Sequence, residues 1–571
     1  MLELQKLLGG NVLFLDTETT GLYWYQNNKP FLIILSSERF SKPILLEVTK
    51  LTIEEVFILR KLFSKDRTIV AHNAKFDVHM MHNIGFDLSQ CTIYDTMTMH
   101  RHYINDLDSY SLDNLTGKKD KSLAEYIKKN NCKEVEVVRN KKRVYKPLYF
   151  MVPEEILFPY ARQDVLLVQQ LYNTQQEVAN TKAFEIDKLC TSVIFQMERR
   201  GIKLDIEYTT RAMEYELDRA KTAREDFRLL TGFDFVDSGK SLGKIFTAIG
   251  VRLPITEKGN QQTSKVFLKS LAKKGNIIAE KILEIREANK MANTYYGNYL
   301  RFLNKKTEKI HANFHQFGAE TGRMSCVDPN IQNVKKDKKG LNKYNPRKCF
   351  IPDNEDYKLV SIDFQAQEMR CFLDAAGEQG VINDIMINNL DLHMVTANLM
   401  GVSRDDAKGI GFGIIYGEGV NALSETLKTS VEAACHLRDL FFAKLPNAAR
   451  LIRSLQMKAK HEGFIETRYG NILRIPQEYA YKATNYFIQG TCAMHTKYAA
   501  IKVHNFLSKN SKSWIVALIH DEILIHMHKD DFGLLPEIQR LMISAYPQIT
   551  LPMDCNETIY LKNWCGEVLK K

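Results

Sequence analysis

The sequence predicts an N-terminal α/β domain, then a helical segment, then a region in which strands and helices mix again. Three observations carry that reading. Residues 11–180 alternate short apolar runs, such as 12–15 and 68–71, with helical patterns. Residues 183–305 are rich in Lys, Glu, Arg and Leu and poor in Pro and Gly, with breaks around 231–240 and 254–261. From about residue 310 the apolar strand-like runs return. A chain of 571 residues exceeds what one hydrophobic core can serve, so roughly two to four domains are expected.

An apolar fraction of 44% and a charged fraction of 26% are ordinary for a globular protein in water. No apolar stretch is long enough to span a bilayer, and the N-terminus lacks the basic, apolar, small-residue pattern of a secretory signal. An intracellular, cytoplasmic protein is therefore expected. Ten cysteines lie scattered from Cys91 to Cys565 without a CxxC pair, which argues against a zinc knuckle or a disulfide framework. The net charge of +11 suits a polyanionic partner without specifying one. Two basic segments stand out. Arg139, Lys141, Lys142, Arg143 and Lys146 read as a solvated loop. For Lys335, Lys336, Lys338, Lys339, Lys343, Arg347 and Lys348, a solvated loop and phosphate contact stand level.

Within the α/β domain, the continuous apolar run Asn11-Val-Leu-Phe-Leu reads as a buried strand. It ends in Asp16-Thr-Glu18, and because strand side chains alternate, the two acids face the same way. Two carboxylates about 4 Å apart repel by about 4 kcal/mol in a protein-like dielectric, a cost that a cation cancels. Ala71-His-Asn-Ala-Lys-Phe-Asp77 follows a short strand, with Asn73 placed to cap the helix that carries Asp77. Pro159 suits the first position of another helix, on which Tyr160 and Asp164 share a face. Each motif alone is common, and a lone DxE is usually a solvated strand end. Together, four acids and a tyrosine suffice to hold two divalent ions and orient a water against a phosphodiester.

Farther on, Lys358-Leu-Val-Ser-Ile-Asp363 is another apolar strand ending in an acid, and Gln365-Ala-Gln-Glu368 opens a helix. Residues 514–525 read as two strands with His520, Asp521 and Glu522 at the bend. Acids on the rim of an apolar sheet imply a metal or a cationic partner, whereas the segment alone would pass for an exposed hairpin tip. Between these lies the most specific pattern, Arg404-x3-Lys408-x3-Phe412-x3-Tyr416-Gly417. Residues four apart stack along one side of a helix, so two cations precede two aromatics on one stripe. Cations suit a triphosphate, and aromatics suit a sugar and a base. An amphipathic helix with snorkelling cations explains the aromatics but not the four-residue cadence.

The ordered set DxE, N-x2-F-D and Y-x3-D resembles the 3′→5′ proofreading exonucleases. The chain as a whole resembles the family A DNA polymerases, over essentially all of its length and in the family's order. Thr321-Gly-Arg323-Met-Ser with Asp328-Pro-Asn-Ile-Gln332-Asn333 is similar to the primer–template contact motif. Residues 363–370 are similar to motif A, 404–417 to motif B, and His520-Asp521-Glu522 to motif C. Asn485 with Gln489-Gly-Thr491 is similar to the element that reads the template side of the minor groove. Asp391-Leu-His393 has a counterpart near the incoming triphosphate, and residues 256–263 and 285–291 resemble the thumb connection.

The resemblance implies an RNase H-like α/β exonuclease domain at 1–180 and an α+β right-hand polymerase. The hand would comprise a helical thumb at 181–310, a palm at 311–374 and 485–571, and helical fingers at 375–484. It implies a DNA-directed DNA polymerase that extends a primer with dNTPs and proofreads. Asp16, Glu18, Asp77 and Asp164 would hold two magnesium ions, and Tyr160 would position the attacking water. Asp363 and Asp521 would hold a second pair, with Glu522 nearby and manganese able to substitute. Arg404, Lys408 and His393 would grip the triphosphate, with Phe412 and Tyr416 at the sugar and base. Glu368 would exclude a 2′-hydroxyl. Arg323, Gln332, Asn333, Asn485, Gln489 and His520 would contact DNA. A monomer acting on primer–template DNA in a bacterial or phage-infected cell is expected, any helicase or single-strand-binding partner being invisible in the sequence.

The chain departs from the family pattern in places. Gln365-Ala366-Gln367 stands where Ser-Gln-Ile is frequent, and Met494 where an acid is common. Gly409, Gly411 and Gly413 crowd motif B, each costing roughly 0.5–1 kcal/mol of helix stability relative to alanine, which predicts a looser fingers helix. With the first strand beginning by residue 12, no N-terminal 5′-nuclease domain is expected, nor is an accessory-factor insert in the thumb. Three rival readings fare worse. Intact Asp363, Asp521, Arg404 and Lys408 oppose a nuclease with an inert hand; two full sets of acids oppose a DNA-binding structural factor; Glu368 and the N-terminal cluster oppose a single-subunit RNA polymerase.

Overall fold

The Asn11-Val-Leu-Phe-Leu run forms the central strand of a five-stranded mixed sheet. Its strands are β1 (Val12–Thr19), β2 (Pro30–Ser37), β3 (Phe40–Glu47), β4 (Thr68–Ala71) and β5 (Thr92–Asp95), in spatial order β3-β2-β1-β4-β5. β1 runs antiparallel to β2 and parallel to β4. The structure is a computed structural model that describes residues 2–64, 66–118, 121–139, 142–255, 259, 261–334, 342–388, 394, 397–398, 401–545, 550–566 and 568. Contacts divide the chain into two compact units: residues 1–200, 314–326 and 360–558 form one, and 201–313, 327–359 and 559–571 the other.

In the first unit, the apolar residues of β1 feed two cores because successive side chains leave opposite faces of a strand. Leu13 and Leu15 pack with Ala74, Val78 and Met81 of α1 (Ala74–Asn83). Phe14 packs on the other side with Ala161, Val165 and Val168 of α2 (Glu154–Thr174). α3 (Lys182–Arg200) sends Phe195 into the first core and Phe184 into the second. Pro159 is not the first residue of its helix: α2 begins five residues earlier and carries Pro159 inside it. Glu154 and Glu155, in the first turn behind Pro153, are the stronger start signal, since acids favour the positive end of a helix. Asn73 does precede α1, but its side chain makes no capping bond. Its backbone is left-handed (φ 60°), and its N–H donates to Asp95 Oδ1 at 2.9 Å instead.

The first basic segment is not a loop. Lys133–Arg139 and Lys142–Pro147 pair as an antiparallel hairpin, as the valines at 135, 137, 138 and 144 favour. Lys141 lies outside the described residues, as do Lys335, Lys336, Lys338 and Lys339 of the second segment.

The second unit is mainly helical. α4 (Ile206–Thr231) starts at Asp205, whose carboxylate accepts from Tyr208 N–H at 2.9 Å, and stops at left-handed Gly232. Shorter helices at Gly239–Ala248, Lys265–Lys273 and Ile277–Asn289 pack with α4 around Phe227, Leu242, Phe246, Leu268 and Ile282. A four-stranded sheet of short strands includes Ile202–Leu204 and Phe350–Ile351. Arg347 is 5% exposed, lies 4.0 Å from the Trp564 ring and donates to the Val334 carbonyl. It braces this unit's interior and is not available for phosphate.

The chain re-enters the first unit along β6 (Tyr357–Phe364), which leads to α5 (Gln367–Ala376). The motif B segment forms α6 (Arg404–Ile415), and α7 (Ala483–Asn510) runs 28 residues. The final sheet has order β7 (Trp514–Ile519), β8 (Glu522–His528), β6, β9 (Cys555–Tyr560). Two buried ion clusters tie this region to the N-terminal sheet. Lys75 of α1 meets Glu198 of α3 and the Phe314 carbonyl, each at 2.5 Å, while His79 meets the same Glu198 at 2.8 Å. Lys497 of α7 and His102 share Asp187 of α3 at 2.6 and 2.7 Å, and Lys497 and Asp187 are wholly buried. Burial opposes ionisation of Asp187, but Lys497 and His102 outweigh it and hold that carboxyl below its usual range.

Candidate active sites

The first site gathers at the end of β1. Asp16 and Glu18 share the strand face of Phe14, which α2 covers, and α2 carries Tyr160 and Asp164. Thr17 faces the opposite way, toward α1, where its hydroxyl donates to Asp77 Oδ1 at 2.7 Å. Asp77 therefore reaches the cluster from the other face of the sheet. Burial lifts Asp16 to about 6. Burial, then the charges of Asp16, Asp164 and Asp77, lifts Glu18 well above the usual carboxylate range. Burial and Asp16 do the same for Asp77, against the Thr17 hydrogen bond. Glu18 thus lies in the field of the other three predicted acids. Among the described residues, no three acidic, histidine or cysteine side chains stand as a finished metal cage. The donor set nonetheless fits a hard divalent cation: carboxylate oxygens only, of which Glu18 and Asp77 are buried and raised in pKa by burial and by neighbouring acids.

Tyr160 donates to Asp164, and burial raises its phenol far above the ordinary value. Sequence reasoning missed Tyr149. It lies in the short helical turn Tyr149–Met151, and its ring centroid is 5.9 Å from that of Tyr160, tilted 34° to it. Burial pushes the Tyr149 phenol up to about 12. Its only mark in the sequence is an aromatic residue just ahead of Pro153.

The second site forms where β6 meets the β7–β8 hairpin. Phe364 N–H donates to the Asp521 carbonyl at 3.1 Å, which brings Asp363 and Asp521 to adjoining positions on neighbouring chain segments. Ile519 pairs with Glu522, so His520 and Asp521 are the two turn residues. His520 is exposed, Asp521 half-buried and Glu522 buried. Burial raises the Asp521 carboxyl, opposed by its own backbone hydrogen bond and by His520. Residues with left-handed backbones flank both acids, His520 at φ 57° and Ala366 at φ 50°. Such a conformation costs a non-glycine residue roughly 1–2 kcal/mol, so the surrounding packing must enforce it.

Glu368, in the first turn of α5, accepts from Arg323 at one carboxylate oxygen and from the Tyr416 hydroxyl at the other. The sequence had given these three residues separate roles, whereas the structure joins them in one clamp. Tyr416 stands just past α6 rather than on it, because Gly417 turns left-handed (φ 73°) against the Tyr481 carbonyl. Arg404 and Lys408 are exposed, one turn apart at the start of α6. The looseness expected of α6 is not what its glycines provide. A Cβ on Gly411 would lie 2.7 Å from Met369 Cε, and one on Gly413 would lie 3.0 Å from Leu423, so both glycines permit close packing.

Asn485 and Gln489, four apart on α7, are half-buried on one stripe, and Asn485 Oδ1 is buried without a hydrogen-bond partner. Gly490 lets α7 approach the hairpin of Phe464–Glu466 and Ile472–Arg474, since a Cβ there would lie 2.7 Å from Thr467 and 2.8 Å from Leu473. Met494 is fully buried. In the second unit, Gln332 is buried, while Asn333 is exposed and its carbonyl accepts from the Tyr295 hydroxyl at 3.1 Å. Asp391, His393 and the side chain of Phe412 lie outside what is described, as do residues 256–258 and 260 of the expected thumb connection.

Comparison with known proteins matches this architecture. The chain has the fold of the "POL domain of Pol1 from M. smegmatis complex with DNA primer-template and dNTP", with a TM-score of 0.80 at 21% identity over 99% of this chain and 97% of that one. Residues 3–178 match the 3′-5′ exonuclease family model, and residues 207–565 match the model of DNA polymerase family A. The chain belongs to DNA polymerase family A. It is 28% identical to DNA polymerase I of Borreliella burgdorferi over 99% of this chain and 63% of that protein. It is 26% identical to the DNA polymerase of Mycobacterium phage L5 over 90% of this chain and 86% of that one. Against DNA polymerase I of Pseudomonas aeruginosa it covers 55% of the relative, so it spans little more than half the length of some curated relatives. No helix among the described residues is long and apolar enough to cross a membrane.

Proposed function

We propose that the chain is a DNA-directed DNA polymerase with a 3′→5′ proofreading exonuclease, extending a primer 3′-hydroxyl with dNTPs at the second site and trimming mispaired ends at the first. The observation that supports this reading most is the bond between Phe364 N–H and the Asp521 carbonyl, which runs the chain segments that carry Asp363 and Asp521 alongside each other. Residues 1–180 would form the exonuclease domain, 181–310 the thumb, 311–374 and 485–571 the palm, and 375–484 the fingers.

Asp363 and Asp521 would hold one pair of magnesium ions, and Asp16, Glu18, Asp77 and Asp164 another, with manganese able to replace them. Such ions acidify the attacking hydroxyl or water and stabilise charge on the phosphate. Glu368, fixed by Arg323 and Tyr416, would occupy the space of a ribose 2′-hydroxyl and so select deoxynucleotides. Arg404 and Lys408, with His393, would grip the triphosphate, and Phe412 and Tyr416 would meet its sugar and base. Asn485 and Gln489 would read the minor groove. Arg323, Gln332, Asn333 and His520 would complete the primer–template contacts. Tyr160 would position the water of the exonuclease. The enzyme would act as a monomer in a bacterial or phage-infected cytoplasm.

The test is primer extension with deoxy- and ribonucleotides, with and without magnesium. Extension should require deoxynucleotides and a divalent ion. Asp521→Asn should abolish synthesis and spare degradation of a single strand, and Asp16→Ala should do the reverse. Loss of both activities in either variant contradicts two separate sites.

A further inference from the structure

Asn105 lies among the residues that match the exonuclease family, yet both of its side-chain hydrogen bonds go to residues that match the polymerase family, within the same compact unit. It follows the helix Thr96–Tyr103 and is 2% exposed. Its Nδ2 donates to the Glu320 carbonyl at 2.8 Å, and its Oδ1 accepts from Arg474 N–H at 2.8 Å. A carbonyl only accepts and an N–H only donates. Bridging the two takes a donor and an acceptor side by side, which a primary amide supplies. A closed loop presents that amide. The Tyr110 hydroxyl donates to the Ile104 carbonyl at 2.9 Å and accepts from Leu107 N–H at 3.1 Å, and the Arg101 guanidinium lies 3.8 Å from the Tyr110 ring.

The Glu320 end of the bridge leads to the polymerase site, because Glu320 and Arg323 share one tight loop. Gly318 N–H and Ala319 N–H both donate to the Arg323 carbonyl, at 3.0 and 3.1 Å, and Gly322 N–H donates to the Ala319 carbonyl at 2.9 Å. A shift of Glu320 therefore carries Arg323 with it, and the Arg323 guanidinium holds one oxygen of Glu368. Glu320 has a second hold, its carboxylate accepting from the Tyr486 hydroxyl of α7. The Arg474 end fastens the hairpin of Phe464–Glu466 and Ile472–Arg474, against which Gly490 of α7 packs.

We propose that Asn105 is a positioning residue of the polymerase site, seating the Glu320–Arg323 loop so that Arg323 meets Glu368. The inference rests on the reading of Glu368 given above, as the group that excludes a ribose 2′-hydroxyl. The experiment is primer extension by the full chain, read as the ratio of kcat/KM for a dNTP to kcat/KM for the matching ribonucleotide. That ratio does not depend on the fraction of chains that fold, so a loss of stability alone leaves it unmoved. Asn105→Asp keeps an acceptor for Arg474 N–H but sets an oxygen against the Glu320 carbonyl, and Asn105→Ala removes both bonds. Each should lower the ratio about 3–10-fold, the worth of one ordinary hydrogen bond. Tyr486→Phe, which deletes only the other hold on Glu320, should shift it the same way. In a Glu368→Ala background the Asn105 variants should change the ratio no further. An unchanged ratio in any variant that extends a primer, a further fall on top of Glu368→Ala, or loss of extension in all three variants would overturn the assignment. A Glu368→Ala chain with the wild-type ratio would overturn the sugar-site reading itself and the inference with it.

Discussion

Glu368 is a carboxylate with two donors and no spare geometry. Arg323 holds one oxygen and Tyr416 the other, so the side chain is fixed in one place, which on the function proposed above is beside the sugar of an incoming nucleotide. Glu368→Ala removes a charge-assisted acceptor worth about 1.5–3 kcal/mol, and it leaves Arg323 and Tyr416 searching for partners. The expected outcome is a fall of roughly 10–100-fold in kcat/KM for dNTPs, together with more ribonucleotide incorporation, read from extension ladders. Unchanged discrimination against ribonucleotides would remove Glu368 from the sugar site. One turn before Tyr416, Phe412 offers no hydroxyl to replace a missing sugar 3′-hydroxyl. Dideoxynucleotides should therefore inhibit weakly, and Phe412→Tyr should lower the inhibitory concentration by about tenfold, the value of one hydrogen bond in a desolvated site. Equal inhibition of both enzymes would contradict that placement. At this scale the sequence named Glu368, Arg323 and Tyr416 but not their junction. They come from segments 323, 368 and 416, and no spacing encodes a contact made only by the tertiary fold. Tyr149 escaped notice for the same reason.

Elements were legible wherever a pattern was local. β1, β6 and the β7–β8 hairpin stand where continuous apolar runs end in acids, because an apolar run buries itself whatever its partners are. Signals with two readings misled. Pro159 fits the first position of a helix, yet it is also tolerated inside α2, whose start is set by Pro153 and two acids. The glycines of motif B read as a propensity cost, but propensity is blind to Met369 and Leu423 lying where a Cβ would be. Gly490 extends this argument to a prediction. Intrinsic preference favours alanine in a helix by roughly 0.5–1 kcal/mol. Against that, a Cβ here would press on Thr467, Leu473 and the Thr321 carbonyl at 2.7, 2.8 and 3.2 Å. Overpacking costs about 1–3 kcal/mol, so the clash should win. Gly490→Ala is expected to lower Tm and to tilt Gln489 away from its place, raising the KM for primer–template more than it lowers kcat. A variant as stable as wild type, with the same KM, would show that α7 moves freely against the hairpin.

Across the molecule, buried titratable groups pull stability in opposite directions over the same pH range. Burial holds His79, His315 and His495 near 4, far below the ordinary imidazole near 6.5. The unfolded chain takes up those protons first, so their contribution is intact above 6.5 and is lost as pH falls toward 4. Asp16 behaves in reverse. Its folded value of about 6 exceeds the unfolded 3.8, so its contribution is present below 3.8 and is lost as pH rises through 6. Glu18 and Asp77, raised for the same reasons, steepen that loss. On the function proposed above, a divalent cation at the first site would neutralise the repulsion and cancel the carboxylate half of this opposition, leaving the histidine half untouched. The gain in Tm on adding magnesium should accordingly be small at pH 5 and should grow as the acids ionise toward pH 7. Asp16→Asn, which removes one of the repelling charges, should raise the Tm of the metal-free chain at pH 7 and reduce the magnesium response. Calorimetry of both proteins with magnesium or a chelator measures each part. A magnesium gain equal at pH 5 and pH 7, or a metal-free Asp16→Asn chain less stable than wild type, would mean that the acids of β1 are not held apart from their preferred protonation by one another and by burial.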